Sequence, residues 1–278
     1  MSAHVTAEHP LLVVIDPVAR ATDGESVRIA KDVLCAGAAS VKIAFPESAE
    51  EIEHLLAHRG RRHPVVLGDD AALVRTVKAL RREPAAGDHD RAWALSVVPI
   101  GPRSSLAREL GVPGQVPAAA RAVLDGVQRE LGLLCDDSGG IVLGTLSLPY
   151  GAPVAHTAAH WWTPVEKTAR SLVRTLTAPV AVNGSPPPRR QRLRVEADGV
   201  LLADLDEPVH EVSVRPAPGT AEICVRRTPG ATQVRTRARS ITVSGRDFRY
   251  RADSAVTGPV RTRTWTLEPS AWRLTVPR

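Results

Sequence analysis

The hydrophobic period of this 278-residue chain changes once, and that change limits the possible folds more than any single motif does. In the first half, apolar runs alternate with stretches of helical spacing. LLVVID (11–16) is continuously apolar, as a parallel strand buried on both faces requires. ESVRIAKDVLCAG (25–37) places Val27, Ala30, Val33 and Leu34 at helical intervals and ends in Gly37. VKIAF (41–45) is a second strand. SAEEIEHLLAHRG (48–60) begins with Ser48 and Glu51 at the capping-box interval. PVVLG (64–68) is a third strand, 71–83 a helix, and WALSVVPIG (93–101) a fourth strand. Such alternation predicts a Rossmann-like α/β domain with a parallel sheet and helices on both faces, over residues 1–130. After about residue 137 the pattern turns to period two, as in RLRVEADGVLLADL, QVRTRARSITVSG and VRTRTWTLEP. Short alternating strands of this kind predict an all-β sandwich over residues 131–278, interrupted by one helix at about 160–177. The proline-rich NGSPPPRRQ (183–191) reads as a hinge or surface loop.

Composition bounds the function classes. Hydrophobic residues make up 43% and charged residues 24%, which is globular rather than disordered. No apolar run approaches the roughly 20 residues of a membrane helix. The N-terminal MSAHVTAEHP has no signal pattern, so a cytoplasmic location is expected, peripheral at a membrane if at all. Cys35, Cys135 and Cys224 are too few and too scattered for a disulfide framework or zinc ribbon, and are expected as buried thiols. From residue 178 onward 17 Arg and no Lys face 10 acidic residues, whereas the preceding part is nearly neutral. A basic second half suits an anionic partner, such as a phospholipid surface, or simply a solvated Arg-rich strand face. The clusters RRQRLR (189–194) and RTRAR (235–239) lack interleaved aromatics, so nucleic acid is not an expected partner.

In a parallel sheet ligands sit at the carboxyl ends of the strands. Those ends are Asp16-Pro17, Phe45-Pro46, Gly68-Asp69-Asp70 and Pro99-Ile100-Gly101. VVLGDDAALV (65–74) runs from strand through glycine into helix, the arrangement that cradles phosphate. Two acids beside that turn are odd, because carboxylates repel phosphate unless a metal ion intervenes. Asp69 and Asp70 either hold a cation or cap the following helix. VVPIGPRSSLARELGVP (97–113) is a second such turn, in which Ser104 and Ser105 cap a helix start and Arg103 adds positive charge.

Together these turns resemble the diacylglycerol kinase catalytic-domain lipid kinases, which are related in fold to the NAD kinases. PIGPRSSLAR (99–108) aligns without a gap to that family's Pro-Leu-Gly-Thr-Gly-Asn-Asp-Phe-Ala-Arg, keeping Pro99, Gly101, Ala107 and Arg108. Leu67-Gly68-Asp69-Asp70-Ala71 falls where the family has Gly-Gly-Asp-Gly-Thr, and Asp16-Pro17 where it has Asn-Pro before a glycine-rich turn. Asp253-Ser254-Ala255 occupies the place of Asp-Gly-Glu, and EPSAWRLTVP (268–277) matches the family's proline-terminated ending. The resemblance implies a lipid kinase using ATP and Mg²⁺, with the nucleotide held at Asp16, Pro17, Gly68, Asp69, Asp70, Gly101, Arg103, Ser104 and Ser105, and with Asp253 as the acidic residue of the catalytic centre. No metal-ligating residues are expected.

The departures point the other way. Asp70 puts a charged side chain where the family has a bare glycine, and Pro102 removes an amide donor. Ala255 stands where the family's Glu serves as base, and loss of a general base costs about 10²–10⁴-fold. The expectation is therefore a kinase with degenerate motifs, weak or inactive, that binds nucleotide or lipid. The alternatives are an active kinase with a rebuilt site and an Arg-rich binding module. His54/His58 and His156/His160 share helical i,i+4 spacing without the Glu or third ligand of a zinc site. Trp161-Trp162 are expected at the interface between the halves.

Overall fold

The computed structural model describes residues 10–82, 93–101, 103–150, 191–227 and 233–278. The expected helix at 160–177, both members of the His156/His160 pair, Trp161, Trp162 and Pro102 lie outside the described residues, as does nearly all of the 183–191 segment.

The first half reads β1 (Leu11–Ile15), α1 (Pro17–Thr22), α2 (Gly24–Gly37), β2 (Val41–Ala44), α3 (Ala49–Ala57), β3 (His63–Gly68), α4 (Asp70–Arg82), β4 (Trp93–Pro99), α5 (Ser105–Glu109) and α6 (Val116–Asp125). Every residue of β1 is buried, so both of its faces are covered, as its unbroken apolar run requires. Parallel pairing orders these strands β2-β1-β3-β4. Local chemistry sets the helix ends. Asp23 accepts from Ser26 N at 3.1 Å to start α2. Ser48 accepts from Glu51 N at 3.1 Å to start α3, while the Glu51 carboxylate takes Glu47 N at 2.8 Å instead of Ser48 N. The sequence reading places no element at α1 or α6. Asp16 caps α1 and Pro17 opens it, and α6 is an alanine-rich helix with Pro117 in its first turn. Its buried residues are Ala119, Ala120, Ala122 and Val123, too small to show a strong apolar stripe in sequence.

The second half is strand-built: β5 (Val127–Asp136), β6 (Ile141–Val142), β7 (Leu146–Leu148), β8 (Gln191–Ala197), β9 (Val200–Ala203), β10 (Pro208–Val209), β11 (Glu211–Ala217), β12 (Thr220–Arg226), β13 (Val234–Ala238), β14 (Ser240–Ala252) and β15 (Ala255–Val276). Its pairings are mostly antiparallel, and β11 and β12 alternate buried and open residues as period two demands. One hydrogen-bonded path runs β13-β12-β11-β7-β14-β15-β4-β3-β1-β2.

The expected division near residue 130 is crossed by β15. Its first part pairs with β14, whereas Trp272, Arg273 and Leu274 pair in parallel with Trp93, Ala94 and Leu95 of β4. The strand also lies antiparallel to β5 along most of that strand's length. Between the two parts Ser270 adopts φ +50 and the register against β5 shifts. The strand thereby sends Trp265 into the core of the β half and Trp272 into the core of the α/β half, both buried. Trp265 meets Tyr250 edge-on, with ring centroids 5.0 Å apart. The cysteines depart from expectation: all three are free thiols, but Cys35 is exposed and Cys135 and Cys224 are half-buried. Cys35 lies off the buried stripe of α2 formed by Val27, Ala30 and Leu34.

Candidate functional site

The ends of β1, β3 and β4 lie side by side, and each is closed by polar groups from its own sequence. At the end of β1 the buried Asp16 accepts from Val18 N at 2.9 Å, capping α1, and its other oxygen pairs with Arg75 of α4. At the end of β3 a Cβ on Gly68 would stand 2.6 Å from Ala72 Cβ and 3.0 Å from Asp16 Cβ, so only glycine fits. Asp69 then turns back to accept from Ala71 N at 3.0 Å and Ala72 N at 3.1 Å, which caps α4. At the end of β4, Ile100 N donates to Gly68 O at 3.0 Å, and Gly101 takes φ +114, a conformation that glycine tolerates and other residues rarely adopt.

Asp70 behaves differently from the cap expected of it. Its amide donates to Arg103 O at 2.8 Å, which ties the first turn to the second. Its buried carboxylate accepts from Leu106 N at 3.0 Å, Ala107 N at 3.4 Å and Ser105 Oγ at 3.2 Å, so it caps α5 rather than its own helix. The two serines are likewise reassigned. Ser104 holds the N-cap position without bonding a helix amide and donates its hydroxyl to Gly101 O at 2.8 Å, while Ser105 serves Asp70. Pro17 occupies the first turn of α1, and the Arg103 side chain is exposed at the rim of the cleft.

The β half meets these turns through the tight turn between β14 and β15. There Asp253, at φ +52, accepts from Leu143 N at 2.9 Å, Gly144 N at 2.8 Å and Thr145 N at 3.0 Å. Its own amide donates to Thr145 O at 2.9 Å. Burial pushes the Asp253 carboxyl above its ordinary range and the Asp70 charge adds to this, against the three amides that lower it. Ser254 and Ala255 follow, exposed.

Cavities open between the halves, and two of them border this region. One, of about 460 Å³, has Asp70, Arg103 and Ser105 on the α/β side and Thr145, Arg251 and Asp253 on the β side. The other, of about 380 Å³, lies between α4, with Val74, Arg75 and Lys78, and the β half, with Asp136, Tyr250 and Ala255. Asp136 is held below its usual range although burial opposes this, because Ser138 and the Gly140 amide donate to it, as does Tyr250 at 3.1 Å. The Tyr250 hydroxyl is pushed up to about 12, by burial first and then by the Asp136 charge.

The structure thus brings Asp16, Gly68, Asp69, Asp70, Gly101, Arg103, Ser104, Ser105 and Asp253 to one region. Sequence reasoning missed Arg75, Asp136, Tyr250 and Arg251. Asp136 carried a readable signal in Asp-Asp-Ser-Gly-Gly, an acid before a tight turn; the others only become neighbours through the fold. Among the described residues no group of three His, Cys, Asp or Glu side chains is placed to hold a metal ion. A triphosphate with its cation does not fit the turns as they stand. The amides of Leu106 and Ala107 are taken by Asp70, and the carboxylates of Asp69, Asp70 and Asp253 are spent on backbone donors. His58 turns its ring onto His54 O at 2.9 Å at the end of α3, a local helix contact.

No family model matches the chain, and no curated protein does. Solved structures do. The crystal structure of a diacylglycerol kinase from Bacillus anthracis str. Sterne matches with a TM-score of 0.66 at 13% identity, covering 96% of this chain and 97% of that one. Two further structures assigned to a diacylglycerol kinase of the same organism match with a TM-score of 0.68 at 13% and 14% identity and the same coverage. Identity this low carries the architecture alone, but it does so over nearly the whole of both chains. In fold, the chain is diacylglycerol kinase-like.

Proposed function

We propose that this protein is a lipid-kinase-like binding protein whose phosphate turns are filled by its own side chains. Its kinase activity is weak or absent, and its cleft binds a lipid headgroup at an anionic membrane surface in place of a nucleoside triphosphate. The reading rests chiefly on the Asp70 carboxylate, which accepts from Leu106 N, Ala107 N and Ser105 Oγ. In a working phosphate turn such donors face the ligand; here an internal anion already satisfies them. Any phosphate must displace a buried carboxylate and leave it near Asp253, with which it already interacts unfavourably. Phosphoryl transfer depends on positioning and charge neutralisation, so a filled turn removes the main source of rate. Ala255, beside Asp253 at the cleft, supplies no base for a lipid hydroxyl.

The test is transfer of labelled phosphate from ATP to diacylglycerol with Mg²⁺ present. The unaltered chain is expected to show little or no turnover, and the double variant Asp70→Gly, Ala255→Glu to gain it. Turnover in the unaltered chain that the double variant abolishes would establish instead an active kinase with a rebuilt site.

A further inference from the structure

The cavity bounded by Asp70 and Asp253 does not end at the cleft. It shares Glu211, Ser213 and Arg215 with a larger hollow of about 630 Å³ on the outer face of β11, β12 and β13. The strand register shows how the two connect. Arg251 pairs with Ser147, Ser147 with Ser213, Ser213 with Cys224, and Cys224 with Arg235. This row spans four strand spacings, or roughly 19 Å. Its floor is low because Ser147, Ser213 and Cys224 are small, and neighbouring rows wall it with longer side chains. One wall is Arg215, Glu222 and Arg237, aligned across β11, β12 and β13. The result is a trough from the cleft to the β13 edge.

Its charges are unequally satisfied. Glu222 pairs with Arg237 at 2.9 Å and Glu211 with Arg226 at 3.2 Å. Asp70 and Asp253 are folded onto backbone amides, as described above. Among the described residues Arg103, Arg215 and Arg251 pair with no carboxylate, and Glu109 is the one carboxylate of the cleft cavity left without a partner. Arg251 instead lies over the Tyr150 ring, 5.4 Å from its centroid, with its Nε shielded from solvent and lacking a hydrogen-bond partner. Apolar lining is sparse: Ile223 in the outer hollow, and Leu106 with the Tyr150 ring in the inner one. An acyl chain laid there would gain little from leaving water, whereas hydroxyls could bond to Thr145, Ser147 and Ser213.

We infer that this trough binds a phosphate monoester with a polar, hydroxyl-bearing body, its phosphate held by Arg215, which lines both cavities, and by Arg251 of the inner one, and that it offers little apolar surface to an acyl tail. Planar guanidiniums match phosphate oxygens in pairs and retain their charge at any physiological pH. The phosphate can belong to a soluble compound or to a lipid headgroup whose tails stay in the bilayer. The inference shares the cleft with the reading above but not its premise, since neither arginine lies on the strand-end turns.

The experiment is calorimetric titration of the full chain with glycerol 3-phosphate and with inorganic phosphate, alongside co-sedimentation with phosphatidylcholine vesicles with and without phosphatidic acid. Saturable binding of the phosphate probes is expected, weakened about tenfold by Arg215→Gln and likewise by Arg251→Gln, and unaffected by Arg261→Gln, an exposed arginine outside the trough. Arg215 is exposed and its variant should fold; a thermal melt checks Arg251→Gln, whose parent side chain is half-buried. Binding to phosphatidic acid vesicles alone, lost in Arg215→Gln, would keep the phosphate chemistry and identify a lipid headgroup as its source. No binding to any probe, or equal loss in the Arg261 variant, would overturn the inference. Phosphotransfer by the unaltered chain would overturn the preceding reading and leave this one standing, whereas binding indifferent to Arg215 would do the reverse.

Discussion

The two walls of the cleft treat their polar groups in opposite ways. On the α/β wall the three strand-end carboxylates are turned inward, Asp16 onto Val18 N and Arg75, Asp69 onto α4, and Asp70 onto α5. On the β wall Asp253 is also turned inward, but the guanidiniums of Arg215 and Arg251 are left open to the cavity. A fold that can present backbone amides to phosphate has covered them with its own anions. What remains available for an anion is side-chain charge, that of Arg103 at the rim and of Arg215 and Arg251 on the neighbouring sheet. The difference separates architecture from capacity: the strand ends lie where a parallel sheet takes its ligands, yet their donors are already in use.

The contrast can be broken one residue at a time. The largest effect is expected at Asp253. Replacing it with Ala strips the partner from the Leu143, Gly144 and Thr145 amides, and leaving three part-buried donors unmet should cost roughly 3 kcal/mol. Urea denaturation reads this, and a change below 1 kcal/mol would mean that water reaches the turn freely. Gly68→Ala comes next. Its Cβ would meet Ala72 Cβ at 2.6 Å, so overpacking of about 1–3 kcal/mol is expected in the same assay. Asp70→Ala should cost about 1–2 kcal/mol, since it removes a helix cap and leaves the buried Leu106 and Ala107 amides without their acceptor.

The smallest effects are in pH dependence, and Asp136 and Asp253 should differ in sign. Asp136 is held below its ordinary 3.8, so its contribution is present above that pH and is lost as pH falls through the lower folded value. Asp253 is raised above 3.8, so its contribution is fully present below that pH and is lost as pH rises through the higher folded value. Asp136→Asn should therefore flatten the acid side of a stability profile, and Asp253→Asn the stretch just above 3.8. Profiles that shift in the same direction for both variants would contradict the assignment.

Much of the α/β half was legible because its signals are local. The apolar run of β1, the Ser48 cap of α3 and the Gly68-Asp69 turn each depend on residues within a few positions of one another. The alternation of β11 and β12 was legible for the same reason. Long-range choices were not. Nothing near Asp70 announces that its carboxylate will reach Leu106 rather than its own helix, since the partner is 36 residues away. The exchange of β15 between two cores depends on an irregularity at Ser270 and on the arrival of β4, and neither is visible as periodicity. The trough is less visible still, because it consists of one residue from each of several strands whose register only the fold sets. The Arg-rich composition indicated an anionic partner; the pairing of Glu222 with Arg237 and the isolation of Arg215 decide where its charge can go.

The central claim is that Asp70 occupies the donors a nucleotide would need, and calorimetry of ATP binding with and without Mg²⁺ tests it most directly. The account predicts no measurable binding at millimolar ATP for the unaltered chain and a gain of binding in Asp70→Gly. Micromolar binding by the unaltered chain that Asp70→Gly weakens would contradict it, and would make the acidic turn part of a working nucleotide site.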